Sequence, residues 1–286
     1  MKDINAFINT IIRGDCTRVM QDMPSESVNL IVTDPPYGVN YQSRDGRRVP
    51  NDDNMKWLEP ASKEMYRVLK DDSFCISFYG WNKVEHFMKA WKQAGFRPVG
   101  HFAFVKDYAS NRRFTRFYHE MAYLLAKGEP PKLANPPKDV LLEWPYTGNT
   151  LHPTQKPIEA LLPLIAAYTK QGDIVLDPFA GSGTTAIAAH KLGRRYIGIE
   201  LSETYSKTAQ SRLPKSNHYT SNHTPTMAYT KGYIETTVEE FTALLDKTKL
   251  AAQAKDELIT FVDGKLRGAY RLGKENGMKK GKRLAA

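Results

Sequence analysis

Cysteine is scarce in this chain, with only Cys16 and Cys75 among 286 residues. Two thiols are too few for a disulfide-stapled scaffold or for a cysteine zinc site. No apolar run approaches the roughly 20 residues that cross a bilayer, and the first residues lack the basic-then-apolar pattern of a signal peptide. The seven histidines show no metal-ligand spacing. These absences predict a cytoplasmic protein with no membrane partner and no bound metal.

Acidic residues are fewer than basic ones, with 31 Asp and Glu against 41 Lys and Arg, which gives a net charge of +10. Such a balance favours a polyanionic partner, because opposite charge attracts nucleic acid at long range. The surplus is uneven, since residues 264–283 contain eight lysines and arginines against one acid. The body of the chain is therefore close to neutral, and composition alone does not establish nucleic-acid binding.

The central stretch of the sequence is Asp34-Pro35-Pro36-Tyr37, which follows Val28–Thr33. The β-branched and apolar composition of those six residues predicts a short buried strand. The prolines end it, because they fix φ and cannot donate to a ladder. An acid and an aromatic ring are thus expected at the carboxyl end of a strand, where open α/β sheets bind ligands. The plain structural alternative is a turn with an acid as its cap.

This set of groups suits methylation of an exocyclic amine. The Asp34 carboxylate and the Pro35 main-chain carbonyl can both accept hydrogen bonds from one NH2 group, which directs the nitrogen lone pair at an electrophile. Pro36 helps to hold the carbonyl still, and Tyr37 offers a face on which a planar base can stack. The four residues Asp34, Pro35, Pro36 and Tyr37 are therefore the catalytic candidates.

A βαβ unit, which implies a parallel sheet, is predicted from Asp173–Asp177, Thr184–Leu192 and Tyr196–Glu200. Glycines open its helix, and Glu200 at the end of the second strand is placed to accept hydrogen bonds from ribose hydroxyls. A Walker-type loop is excluded because no lysine follows Gly183, and Asp177 before the turn would repel a pyrophosphate. A cofactor with a ribose and a cationic or zwitterionic tail fits better, and S-adenosylmethionine is such a molecule.

The order of these elements predicts an α/β chain with one catalytic domain over residues 1–213. Within it, residues 38–54 are expected to form a mobile loop over the site, and residues 129–151 a proline-rich loop. Ser, Asn and Thr dominate a predicted linker at 214–234. Residues 235–286 combine helical periodicity with the basic surplus and are interpreted as a helical, basic C-terminal extension.

Three stretches together resemble the amino-methyltransferases of DNA, the N6-adenine and N4-cytosine type. Asp34–Tyr37 is similar to their catalytic motif, Asp177–Gly183 to their adenosylmethionine motif, and His152–Pro157 to the segment that meets the methionine end of the cofactor. The catalytic motif precedes the cofactor motif, which is the circularly permuted order of the β group. The resemblance covers roughly Ile11 to Leu213 and leaves the tail undefined.

The resemblance implies a single Rossmann-like, S-adenosylmethionine-dependent methyltransferase domain with a mixed, mostly parallel sheet. The cofactor-binding residues that it implies are Asp15, Cys16, His152, Thr154, Lys156, Asp177, Phe179, Ala180, Gly181, Ser182, Gly183, Thr184 and Glu200. Asp15 and Cys16 would lie near the adenine, and Thr154 with Lys156 would address the methionine carboxylate. Glu200 would bind the ribose. From the residues alone, Lys156 and the following helix start could hold a carboxylate or simply face solvent.

The implied reaction is site-specific methylation of double-stranded DNA by base flipping and in-line attack. Asp34 favours N6-adenine, because family members with serine at this position act on N4-cytosine more often. N4-cytosine methylation stays the alternative within the family. A non-catalytic DNA-binding protein that retains the fold is the alternative from another class, and the intact acids Asp34, Asp177 and Glu200 speak against it. An RNA or protein methyltransferase is a third reading.

DNA contacts are expected from loops, because the target-recognition insert at about 129–151 is short. The candidates combine basic and amide side chains: Arg44, Arg47, Arg48, Lys106, Asn111, Arg112, Arg113 and Arg116. Arginine and asparagine can read base edges through two hydrogen bonds, and a solvated hairpin loop is the alternative for residues 106–117. The resemblance implies two further possible partners, a second copy of the chain in a homodimer and a cognate restriction enzyme.

Deletion of the residues after Gly264 tests whether the basic tail clamps phosphates. Each lost phosphate contact should lower the slope of log affinity against log salt by roughly 0.9, so the truncated chain should show a flatter slope. Fluorescence anisotropy with one duplex at several salt concentrations measures it. An unchanged slope would reject the clamp and leave a dimer contact as the role of the tail.

Overall fold

The computed structural model describes residues 2–43, 46–109, 114–142, 144–214, 242 and 253–260. The chain divides into two compact units, Met1–His218 and Tyr219–Ala286. Residues 253–260, in the second unit, are helical. Most of the predicted linker and extension lies outside the described residues, so the predicted boundaries at 213 and 234 stay predictions. No helix among the described residues is long and apolar enough to cross a membrane.

Eight strands of the first unit form one sheet in the order β1-β8-β7-β2-β3-β5-β4-β6. Their bounds are β1 Thr10–Arg13, β2 Val28–Thr33, β3 Leu69–Phe78, β4 Arg97–Val105, β5 His119–Lys127, β6 Val140–Leu141, β7 Ile174–Asp177 and β8 Arg195–Glu200. The neighbouring pairs are parallel except for those of β5 with β3 and β4. The predicted mixed, mostly parallel sheet is confirmed.

Helices cover both faces of this sheet. They are α1 Cys16–Asp22, α2 Leu58–Val68, α3 Val84–Ala94, α4 Ile158–Tyr168, α5 Thr184–Lys191 and α6 Glu203–Ser211. Side chains alternate along β2, because successive residues of a strand point to opposite faces. Ile31 belongs to one buried cluster with Met65 of α2 and Trp91 of α3, whereas Leu30 belongs to another with Leu161 of α4 and Ala188 of α5. The central strands are buried from both sides, as apolar runs predict.

The middle of the sheet is a topological switch point. From β2 the chain crosses through α2 to β3 on one side, and from β7 it crosses through α5 to β8 on the other. β2 and β7 are parallel neighbours, so both crossovers leave from the same edge. Ligands of open α/β sheets bind in the crevice formed there. Asp34 and Asp177 stand at that crevice because each occupies the carboxyl end of one of these two strands.

Three local features do not follow from the sequence pattern. Strand β3 begins already at Leu69, because Val28 at the start of β2 pairs with Leu69 before the register shifts. A 3-10 turn, Trp81–Lys83, precedes α3. The proline-rich stretch 129–151 is not wholly irregular, since it contains β6, which pairs in parallel with β4.

Replacement of Gly183 by alanine tests how the turn before α5 is packed. Gly183 has φ of +83°, and an added Cβ would lie 2.9 Å from the Cβ of Ala209 on α6. The left-handed conformation costs an L-residue roughly 1–2 kcal/mol, and the crowding adds to it. Chemical denaturation should therefore show a larger loss of unfolding free energy for Gly183→Ala than for Gly172→Ala.

Gly172 is a matched control because its φ is +81° and an added Cβ meets nothing within 4 Å. Equal losses in the two variants would mean that contact with α6 contributes nothing to the rigidity of the turn.

Candidate active site

The turn after β2 carries a hydrogen-bonded acid and phenol. The Tyr37 hydroxyl donates to Asp34 Oδ1 at 2.7 Å, and the Asp34 side chain is 19% exposed. Burial raises the pKa of Asp34, and the nearby Lys156 ammonium opposes that rise. Burial also raises the pKa of Tyr37 well above its ordinary value, so the phenol stays protonated and can donate. The carboxylate is thereby oriented at the crevice.

Lys156 is the second donor to the same carboxylate. Its ammonium forms an ion pair and a hydrogen bond with Asp34 Oδ2, and it lies 5.1 Å from the centre of the Phe78 ring and 5.8 Å from that of Tyr37. The resemblance implied that Lys156 meets a carboxylate of the cofactor. In the structure it meets the carboxylate of the catalytic candidate.

Asp52 shapes the catalytic turn, and the sequence analysis did not identify it. Its Oδ1 accepts hydrogen bonds from the main-chain N–H groups of Tyr37, at 2.7 Å, and Gly38, at 2.9 Å. Its Oδ2 accepts one from the N–H of Tyr41 at 2.7 Å. Asp52 is 4% exposed, so a buried carboxylate holds the start of the loop. Asp52 lies in a predicted loop beside a second acid, Asp53, so no sequence pattern distinguished it.

The loop at residues 38–54 also contacts the segment before His152. The Arg47 guanidinium donates to the carbonyls of Asn149, at 2.9 Å, and Thr150, at 3.3 Å. Asp52 therefore ties the described part of this loop to the catalytic turn, and Arg47 ties it to the second segment. The predicted position of the loop over the site agrees with these contacts.

The predicted DNA contacts fall into three groups. Arg48 and Arg116 are exposed, whereas Arg47 is half-buried. Arg44, Asn111, Arg112 and Arg113 lie outside the described residues. Lys106, predicted to contact DNA from the loop 106–117, is 3% exposed and its ammonium bonds Glu120 Oε1 at 2.6 Å, so the solvated-loop alternative does not hold for this residue. Lys106 directly follows β4, so its side chain enters the crevice with that of Glu120 on the neighbouring β5.

The glycine turn after β7 is organised around two buried acids. Glu200 Oε2 accepts from the N–H of Gly181 at 2.8 Å, and its Oε1 accepts from that of Ser202 at 2.8 Å. Asp177 Oδ1 accepts from the Thr33 hydroxyl at 2.9 Å and from the Phe179 N–H at 3.1 Å. Burial raises the pKa of Asp177 to about 6 and also raises the pKa of Glu200.

The start of α1 joins this site through the sheet. The Gly14 N–H donates to the Glu200 carbonyl at 3.0 Å, which places the next two residues beside the end of β8. Asp15 caps α1 by accepting from the Arg18 N–H at 3.1 Å. Cys16 is buried, and burial followed by the charge of Asp15 raises its pKa to about 12. Its thiol is therefore protonated at neutral pH.

The segment at His152 packs over the glycine turn. The His152 ring meets the Tyr205 ring edge-on at 4.3 Å, and a Cβ at Gly181 would lie 3.5 Å from it. Burial, with Lys156 and Arg47 nearby, lowers the pKa of His152 to about 4, so the ring is neutral at physiological pH. The Thr154 N–H donates to His152 Nδ1 at 3.3 Å, which fixes the segment as a unit.

One cavity of about 1070 Å³ joins these stretches. The sequence candidates that line it are Asp15, Cys16, Asp34, Pro35, Pro36, Tyr37, Arg47, Lys106, His152, Thr154, Lys156, Asp177, Phe179, Ala180, Gly181, Ser182, Thr184 and Glu200. Gly183 packs against α6 instead. Among the described residues, no group of three or more His, Cys, Asp or Glu side chains could hold a metal ion.

The cavity has the groups that a nucleoside with a cationic tail requires. Both Glu200 oxygens accept main-chain N–H groups, and because a carboxylate has about four acceptor positions, it keeps the capacity to accept from a ribose hydroxyl. Trp57, which the sequence analysis did not single out, meets Phe179 edge-on at 4.9 Å and gives an aromatic wall for a purine. The buried carboxylates of Asp177 and Asp34 suit positive charge. The residues present therefore fit S-adenosylmethionine.

A second set of aromatic residues surrounds Asp34. The Trp144 N–H donates to the Tyr108 hydroxyl at 3.1 Å, and its ring lies 6.3 Å from that of Phe78. Trp81, 60% exposed, stacks on Phe117 at 5.7 Å at the rim. Trp144 comes from the proline-rich stretch, where the apolar run Val140-Leu141-Leu142 close to a tryptophan was the available signal that part of this loop is buried.

Comparison with known proteins gives one family. Residues 28–211 match the N6/N4 methyltransferase family, described as DNA methylase. The chain is 52% identical over 206 residues to YubD of Escherichia coli (strain K12), which carries the name of a methylase, and the match covers 72% of this chain and 90% of YubD. It is 31% identical over 252 residues to the DNA adenine methyltransferase YhdJ of the same strain, covering 73% and 84% of the two chains.

Among solved structures, the complex of M1.HpyAVI with S-adenosylmethionine superposes with a TM-score of 0.58 at 26% identity. The match covers 71% of this chain and 99% of M1.HpyAVI. The Rossmann-like methyltransferase fold and the use of S-adenosylmethionine, both implied by the resemblance, are confirmed.

The role of Asp52 can be tested by Asp52→Asn. The amide keeps one acceptor but presents an NH2 group to a main-chain donor, and a buried unsatisfied donor costs roughly 1–3 kcal/mol. The unfolding free energy should fall by about that amount, and methyl transfer should slow more than cofactor binding weakens. Denaturation, calorimetry with S-adenosylmethionine and single-turnover assays measure the three quantities.

Asp53→Asn is the matched control, because Asp53 is exposed and contacts the Asn54 side chain at 2.8 Å. It should change none of the three. If both variants behave alike, the main-chain contacts of Asp52 do not hold the catalytic turn.

Proposed function

Because the chain belongs to the DNA methylase family of the N6/N4 type, we propose that it methylates the N6 amine of adenine in duplex DNA. S-adenosylmethionine is the methyl donor. The observation that carries the proposal is a buried, hydrogen-bonded carboxylate, Asp34, at the switch point of the sheet and in one cavity with the cofactor turn. The adenine specificity named for the relative YhdJ supports the choice of base.

The chemical need is to make an aromatic amine nucleophilic. The lone pair of an exocyclic NH2 group is conjugated with the ring, so the nitrogen attacks poorly until the group is pyramidal. Asp34 accepts one N–H of that group, and the rigid carbonyl of Pro35 accepts the other. The cofactor supplies an electrophilic methyl group on a sulfonium. Cys16, with its raised pKa, is unsuited to act as a nucleophile, and attack by the amine needs none.

A base in a duplex must leave the helix to reach this cavity. Unpairing and unstacking cost a few kcal/mol, and stacking on an aromatic side chain returns roughly 1–3 kcal/mol per base. Tyr37 is suited to this, because its hydroxyl bond to Asp34 holds the ring beside the carboxylate that would accept the amine. Tyr108 and Trp144 offer further apolar walls on the side of β4 and β5.

The cofactor is held on the opposite side of the cavity. Glu200 accepts the ribose hydroxyls, and the main chain of Phe179 to Gly181 follows the adenosyl part. The start of α1, at Asp15 and Cys16, meets the adenine. The segment from His152 to Thr154 covers the methionine end. These assignments extend the contacts described above and follow the order of the family motifs.

DNA binding is assigned to the exposed arginines Arg48 and Arg116 and to the predicted contacts outside the described residues. Arg47 is assigned with them because it lines the cavity that the base would enter. A homodimer and a cognate restriction enzyme are also proposed as partners. Both proposals rest only on what is common in the resembled family.

The first experiment is mass spectrometry of nucleosides from duplex DNA incubated with the full chain and S-adenosylmethionine. N6-methyladenine is expected. N4-methylcytosine would keep the mechanism and overturn the base. No modified nucleoside, with cofactor binding intact, would reject DNA methylation and favour an RNA substrate or a non-catalytic scaffold.

Asp34→Ala tests the catalytic assignment in the same assay. The variant should bind S-adenosylmethionine with nearly unchanged affinity and lose methyl transfer by at least about 100-fold, the lower end for loss of a positioned acid or base. Calorimetry and single-turnover rates give the two values. Turnover near that of the natural sequence would remove Asp34 from the mechanism.

A further inference from the structure

Lys156 has a contact that its place in the sequence does not suggest. It stands just before α4, in the segment that resembles a cofactor-binding motif. Its ammonium nevertheless bonds Asp34 Oδ2, while the Tyr37 hydroxyl takes Oδ1. Both oxygens of the catalytic carboxylate therefore have a donor from the protein itself. Lys156 is 9% exposed, so this contact is shielded from solvent and weakly screened.

The position of Lys156 is fixed from several sides. The faces of Phe78 and Tyr37 lie 5.1 and 5.8 Å from the ammonium, distances at which a cation is attracted to a ring. The Lys156 carbonyl accepts a hydrogen bond from the Thr184 hydroxyl, at the start of α5, at 3.1 Å. The residue thus joins the helix that follows the glycine turn to the acid that follows β2.

The charge of Asp34 depends on this lysine. The charged and titratable groups that face Asp34 come from four places: Lys156, Tyr37 in its own turn, Asp177 on β7, and Glu120 on β5 with its partner Lys106. Burial and Glu120 raise the pKa of Asp34, and the ammonium of Lys156 is the largest influence that lowers it. Without the ammonium, the carboxyl would hold its proton to higher pH.

Ionisation matters because an amine offers only donors to this site. A carboxylate has about four acceptor positions, so it can keep its bonds to Lys156 and Tyr37 and still accept an N–H. A protonated carboxyl loses one oxygen as an acceptor and presents a donor instead. The lysine therefore decides whether Asp34 can receive the amine.

We propose that Lys156 is a positioning residue that acts through Asp34, holding the carboxylate charged and aimed at the target amine, and that it is not a ligand of the cofactor carboxylate. The inference rests on the proposed role of Asp34 in amine binding. It changes the role that the sequence resemblance implied for Lys156, and it separates Lys156 from its neighbours His152 and Thr154, which face the cofactor.

The test compares Lys156→Met and Lys156→Gln, which remove the charge, with Lys156→Arg, which keeps it. Calorimetry should give affinities for S-adenosylmethionine within about twofold of the natural sequence. Single-turnover methylation by the uncharged variants should be slower by about 100-fold near neutral pH.

The acid limb of the pH–rate profile is the decisive measurement. Asp34 acts as a carboxylate, so the rate falls as pH falls through its pKa. Loss of a neighbouring cation raises that pKa, and the limb should move to higher pH by roughly 1–3 units. The deficit of the uncharged variants should shrink as pH rises, and Lys156→Arg should restore most of the natural profile.

Lys127 provides a matched control for the loss of a buried lysine. It is 5% exposed, its ammonium donates to the Leu69 carbonyl at 2.8 Å, and it lies 5.0 Å from the centre of the Tyr66 ring. Lys127→Met should lower the melting temperature without moving the acid limb. If Lys156→Met does not fold, Lys156→Gln carries the same comparison with its amide in place of the ammonium.

An unchanged acid limb in the uncharged variants would overturn the proposal, whatever the rates. A tenfold or greater loss of cofactor affinity with an unchanged limb would assign Lys156 to the cofactor. Failure of the proposed function is a separate result, in which the natural sequence itself yields no modified nucleoside. Natural turnover by Asp34→Ala is a second separate result, which would leave Lys156 no catalytic carboxylate to act through.

Discussion

The structure depends on the parallel pairing of β2 with β7, which places two carboxylates at one edge of the sheet. Asp34 and Asp177 are both largely buried, and the charge of Asp34 adds to the burial that raises the pKa of Asp177. Isolated charges are expensive to bury, so the surrounding groups are donors: Lys156 and Tyr37 for one acid, Thr33 and a main-chain N–H for the other. A cationic cofactor completes the balance.

The same edge explains why three separated stretches of sequence form one site. Parallel strands bring their carboxyl ends together whatever the length of chain between them. The permuted order does not disturb this, because the position of a strand in the sheet, rather than its rank in the chain, decides which side chains meet. Loops then add further contacts to the site, here those of Asp52 and Arg47 on one side and of Trp144 on the other.

Much of the fold was predictable, because short stretches of sequence determine it. Val28–Thr33 and the strands of the βαβ unit are short apolar runs with clear ends, and the pattern of apolar residues alone predicts them. Contacts between distant segments were not predictable. Lys156 and Asp34 are 122 positions apart, and the resemblance gave the lysine a different carboxylate partner, that of the methionine part of the cofactor. Asp52 was missed because a loop has no period that marks a buried position.

The rigid turn after β2 has a consequence for turnover. In the proposed mechanism, a primary aromatic amine has two N–H groups for the two acceptors, the Asp34 carboxylate and the Pro35 carbonyl. Once methylated, it has a single N–H, and the prolines prevent the carbonyl from turning away to find another donor. One acceptor is then left without its partner whenever product occupies the cavity. The site would bind the methylated base less well than the unmethylated one, which favours product release and disfavours a second methylation.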